Sequence, residues 1–122
     1  MSLSSNDLKV IYTVTAMKFS YEKVVDRAGS LRRLYRLQRH RVWGWHSSIK
    51  EAENSVKENH CDMYELGYYP HVLIEKVPEG ICMASLIKEI QWYKWVGGSK
   101  TGGYKPCDKP KGYSNTVAFS MS

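Results

Sequence analysis

Between Arg27 and Trp45 the chain reads RAGSLRRLYRLQRHRVWGW, with arginine at 27, 32, 33, 36, 39 and 41 and no carboxylate among them. A guanidinium stays charged at physiological pH and is costly to bury unpaired. This stretch must therefore fold with its arginines in water or against an anion. From Lys18 to Arg41 there are eight basic residues and two acidic ones, Glu22 and Asp26, a net +6. The formal net charge of the whole protein is also +6, so the remainder is balanced. A basic segment on a neutral body points to an anionic partner: a nucleotide, a nucleic acid or an acidic protein surface.

The residues around this segment read mainly as strands. Val10–Met17 (VIYTVTAM) is rich in β-branched and aromatic residues, and Val10, Tyr12, Val14 and Ala16 make the better core face. Residues 19–41 admit two readings. One is a long hairpin turning near Asp26–Ser30, with Tyr35, Leu37, Arg39, Arg41 and Trp43 alternating along its return strand. The other is a basic helix through Leu31, Leu34 and Tyr35. The hairpin is preferred because the segment lies between two strand-like runs. Gly44 between Trp43 and Trp45 suggests a bulge or a close backbone approach.

Ser48 and Glu51 have capping-box spacing, followed by Ile49, Ala52 and Val56 as an inward stripe. This is the one clear helix, ending near Asn59–His60. Met63–Leu66 reads as a short strand, His71–Val77 as a firm one, and Ile90–Val96 as an aromatic one. The run Gly97–Gly103 (GGSKTGG) is a hairpin connection, also weighed as a mobile lid; Tyr104–Cys107 and Thr116–Phe119 are candidate edge strands. The expected fold is α+β: a mostly antiparallel sheet of about five strands with one principal helix on a face. A disordered leader over 1–8 precedes a single domain over 9–122.

Three widely spaced cysteines, with no CxxC pair, argue against a disulfide framework and for a reducing cytoplasm. No run approaches a membrane span and no signal peptide is visible. Metal spacings are absent apart from the adjacent run His60-Cys61-Asp62, whose neighbours rarely converge on one ion. The same His60–Cys61 pair is the one local hint of a nucleophile beside a base, without a G-x-S-x-G elbow or other signature. No cofactor and no enzymatic activity are expected. GGSKTGG lacks the order of a phosphate-binding P-loop. Glu75, in VLIEKV, is a candidate ion-pair partner for an arginine.

Arginine for phosphate and flat rings for bases are the two components of nucleotide recognition. The arginine bias favours bidentate, stacked contacts over mere solubility. Arg36, Arg39 and Arg41 are therefore the candidate phosphate ligands, with Trp43 or Trp45 to stack on a base. Tyr104, Lys105 and Lys109 are the candidates that close from the C-terminal side.

The runs IYTVTAMKF, HRVWGWHSSIKEAENSVKENHCDMYELGYYPHVLIEKVPEGI and QWYKWVGGSKTGGYKPCDKP together resemble a set of short phage and bacterial proteins. The shared pattern is an arginine–glycine aromatic strand, a helix with E-A and V-x-x-N, a D-x-Y-E step, a V-I-E strand, a W-Y-x-W strand and a Y-x-P-x-x-K-P tail. It is similar to the first described family of phage Thoeris anti-defence sponge proteins. That resemblance implies a homo-oligomer that sequesters a cyclic ADP-ribose signal without cleaving it, in a pocket at a subunit interface. No ligand residue is carried over from it. The competing expectation is a basic nucleic-acid-binding regulator, such as a phage inhibitor of an RNA-guided nuclease. A small hydrolase using Cys61 and His60 ranks last.

Overall fold

The computed structural model describes residues 9–78 and 86–110. The expected leader over 1–8 and the edge strand at Thr116–Phe119 lie outside them. The fold is α+β. Five strands, β1 (Val10–Val25), β2 (Leu31–His46), β3 (His71–Pro78), β4 (Lys88–Val96) and β5 (Gly103–Cys107), form one antiparallel sheet. Its order is β2-β1-β3-β4-β5. One helix, α1 (Ile49–Lys57), packs on one face.

The hairpin reading of residues 19–41 is the correct one. β1 and β2 are each 16 residues long. Their turn is held by Asp26, whose Oδ1 accepts from the N–H of Ala28 (2.9 Å) and of Ser30 (2.8 Å). Gly29 supplies the left-handed backbone there, with φ +82°. β3 pairs with β1 only as far as Met17. Beyond it, residues 18–25 pair with β2 alone, as a two-stranded arm about 25 Å long at strand rise.

Two β-bulges interrupt β2, at Gln38 and at Trp43, each an extra residue opposite β1. They break the simple alternation expected for this strand. Arg41 pairs with Ala16, Arg39 with Lys18 and Arg36 with Ser20, all on the helix-bearing side, whereas Leu37 pairs with Phe19 and turns to the other side. The bulges also make an edge strand a poor template for pairing with another chain.

The core on the helix side is built from Val14, Ala16, Ala52, Val56, Met63, Val72, Ile74, Tyr93 and Tyr104. The alternation of Val14 and Ala16 is the one read in the sequence. Ser48 caps α1, accepting from the N–H of Glu51 at 3.2 Å. Ala52 and Val56 are fully buried, but Ile49, expected in the inward stripe, is exposed at the first turn. The expected strand at Met63–Leu66 is instead a pair of 3-10 turns, His60–Asp62 and Glu65–Gly67. Asn59, Cys61, Asp62 and Glu65 all have positive φ, which no strand tolerates.

The other face buries Met17, Leu73, Trp92, Thr13, Thr15 and Glu75. His71 borders it, with its ring edge-on to Phe19 at 5.3 Å. Burial, and then the charge of Lys94, lower the His71 pKa from 6.5 to about 4. Below pH 6.5 the unfolded chain takes up a proton that the folded chain refuses. Stability should therefore be full above about pH 6.5 and fall as pH drops toward 4, by up to about 3 kcal/mol. Urea unfolding of wild type and His71→Phe at about pH 7 and 4.5 checks this. The variant should lose the histidine share of the slope; equal slopes would show that His71 does not drive it.

Candidate functional site

The basic segment is sorted by the hairpin into pairs that are satisfied and pairs that are not. At the distal end Arg32 Nε lies 3.2 Å from Asp26 Oδ2, and Arg36 Nη2 lies 3.6 Å from Glu22 Oε2. The two carboxylates of the segment are thus engaged by two of its arginines. These pairs are solvent-exposed and contribute little. Among the described residues no carboxylate lies within ion-pair distance of Arg39 or Arg41.

Aromatic rings hold those two guanidinium groups instead. Arg39 Cζ sits 3.6 Å from the centroid of the Tyr68 ring, and Arg41 Cζ sits 4.2 Å from that of Trp43. Tyr68 packs edge-on to Tyr69 at 5.1 Å, and Tyr69 packs edge-on to Trp43 at 6.4 Å. The result is a continuous arc, Arg39–Tyr68–Tyr69–Trp43–Arg41, at the base of the arm. Stacking occupies the flat face of a guanidinium and leaves its N–H edge for an anion. Tyr68 was not legible as a site residue. It lies in the 3-10 region, 29 positions from Arg39, and only the tertiary fold brings it there.

The other candidates fall elsewhere. Trp45 pairs with Thr13, on the opposite face from Arg39 and Arg41, and is 62% exposed beside Lys9, Val10, Ile11 and Ser47. Tyr104 is a core residue. Its hydroxyl donates to the Tyr69 carbonyl at 2.6 Å, and burial pushes its pKa well above the ordinary tyrosine value. Lys105 is exposed on β5, paired with Lys94. Lys109 Nζ lies 3.5 Å from Glu89 Oε1. β5 and β2 are opposite edges of the sheet, four strand spacings or about 19 Å apart. Within one chain Lys105 and Lys109 therefore do not meet the arginines.

The glycine run is a tight, hydrogen-bonded turn. Gly102 N–H donates to Gly98 O at 2.8 Å, and Trp95 Nε1–H donates to the same carbonyl at 3.1 Å. Trp95 in turn stacks flat on Tyr64, with centroids 3.8 Å apart.

Beside the arc lies a cleft lined by Val14, Trp43, Gly44, His46, Ser55, His60, Cys61 and Met63, with a volume of about 70 Å³. Nucleotide-sized pockets begin at roughly 300 Å³. No group of three histidine, cysteine or acidic side chains suited to a metal occurs among the described residues. None of the described helices is long and apolar enough to cross a membrane. The chain matches no protein-family model, and comparison with curated proteins and with solved structures finds no significant similarity.

Proposed function

We propose that this protein binds and sequesters a small cyclic nucleotide of the cyclic ADP-ribose type, without cleaving it, and so counters a bacterial anti-phage signal. The observation that carries the reading is the pair of ring-stacked arginines, Arg39 on Tyr68 and Arg41 on Trp43, with no carboxylate among the described residues to neutralise them. Two fixed guanidinium forks suit two phosphates, and the exposed ring of Tyr68 suits a base. The cleft beside them is too small for a nucleotide. Lys105 and the arginines stand at opposite sheet edges. Both facts favour a pocket shared between copies of the chain, each giving a different edge.

A second reading is favoured by the arm itself. A basic two-stranded ribbon about 25 Å long has the dimensions to follow a duplex groove. It would make the protein a nucleic-acid-binding regulator, such as an inhibitor of an RNA-guided nuclease.

Native mass spectrometry separates the two. The protein is measured alone, with a panel of cyclic nucleotides, and with a short oligonucleotide. Retention of an intact cyclic nucleotide by an oligomer is the expected result. A monomer that keeps only the oligonucleotide, with affinity falling by several log units per log unit of salt, would move the assignment to nucleic acid.

A further inference from the structure

We infer that Ser55 is an activated nucleophile, in a site separate from the arginine arc, that accepts a small acyl group from an activated ester. Ser55 Oγ lies 2.7 Å from His46 Nε2. His46 Nδ1 lies 3.8 Å from Glu51 Oε2. A hydroxyl on one ring nitrogen and a carboxylate toward the other is the nucleophile–base–orienter order of acyl-transfer enzymes, recognised by geometry and not by position in the chain.

The fold produces this order from simple parts. Glu51 and Ser55 are four apart on α1 and so share one face. His46 is the last residue of β2, and its register partner Tyr12 lies on the helix side of the sheet. The imidazole is thereby brought against the helix between the two side chains. The Glu51 carboxylate on the Nδ1 side favours the tautomer with its proton on Nδ1, the one in which Nε2 accepts from the serine.

His46 and Ser55 both line the 70 Å³ cleft. That volume holds about two waters, the size of an acetyl group. Trp43 lines the same cleft, so its ring forms part of the wall against which the acyl group would sit.

The reaction balances with water as the sole co-reactant. Ser55 Oγ bonds to the ester carbonyl carbon while its proton passes to His46 Nε2. The ester C–O bond breaks, the alcohol departs with that proton, and acetyl-Ser55 remains. Water, deprotonated by His46, then attacks the acetyl carbon. Acetate leaves and the proton returns to Ser55.

The test is incubation of the full chain with 4-nitrophenyl acetate, following nitrophenol release, intact mass and peptide mapping. The expected result is one acetyl group, mapped to Ser55. Ser55→Ala should abolish it, and His46→Gln should slow it by about a hundredfold. Glu51→Gln, which only positions the ring, should slow it by about tenfold with the acetyl group still on Ser55. Acetyl groups confined to lysines or to Cys61, or neither an acetyl group in an acid-quenched sample nor nitrophenol release that depends on Ser55, would overturn the inference whatever the variants do.

Discussion

Replacing Gly102 with alanine is expected to destabilise the protein by about 1–3 kcal/mol, the range of a steric clash against fixed backbone. A Cβ at this position would sit 2.7 Å from both Gly98 O and Trp95 Nε1, and inside any allowed contact with the Val96 carbonyl. Two of these three neighbours are backbone, so no rotamer change relieves them. The turn has to open, and opening it removes the two hydrogen bonds that converge on Gly98 O. Trp95 would then lose its anchor, and with it the flat stack on Tyr64 that ties β4 to the 3-10 region. The controls are two other glycines. Gly44→Ala meets nothing within 4 Å and should stay within about 0.5 kcal/mol of wild type. Gly29→Ala also meets open space but has φ +82°, and should cost about 1 kcal/mol. Urea midpoints of the three variants check the order. A Gly102→Ala protein as stable as Gly44→Ala would mean that the turn is loose enough to serve as a lid.

Those three glycines also mark what the sequence could and could not reveal. The turn at Gly29 was legible, because a glycine among small polar residues between two strand-like runs encodes its own geometry. So was the capping of α1 by Ser48, and so was the core face of Val14 and Ala16, since periodicity and caps are local. The bulges were only half legible. Gly44 hinted at one of them, but nothing marked Gln38, and that single extra residue moves Leu37 off the face that Arg39 and Arg41 share. The 3-10 turns replaced an expected strand because Cys61 and Glu65 adopt left-handed backbone angles that their residue types do not announce in a sequence.

Parts of the site were hidden for another reason. Sheet order is a tertiary property. Until β2 and β5 were known to be opposite edges, Lys105 and Lys109 could be imagined beside the arginines. Tyr104 looked like a ligand ring but fills the core. Conversely, Tyr68 and the Ser55–His46 contact depend on how α1 and the 3-10 turns cross the hairpin, which no spacing encodes.

Arg39→Ala is expected to weaken retention of the cyclic nucleotide by roughly a hundredfold, a loss of about 2–3 kcal/mol from one charge-assisted phosphate contact. Arg41→Ala should fall in the same range. Lysine at either position should recover only a minor part, because an ammonium neither stacks on Tyr68 or Trp43 nor forms a bidentate fork. Arg32→Ala should change retention less than about threefold, since Arg32 is at the arm's distal end and engaged with Asp26. This graded pattern distinguishes the two proposed functions. A sponge reads position: the stacked pair dominates and the distal arginine is nearly silent. A polynucleotide contacted along the arm reads charge: Arg32, Arg39 and Arg41 would weaken binding to similar extents, each lowering the salt slope by about one unit. Titration calorimetry on the five variants, with the nucleotide and with an oligonucleotide at two salt concentrations, decides between them. Equal losses across the three alanine variants would sink the sponge, because the ring-stacked pair would then have no advantage over an arginine already paired.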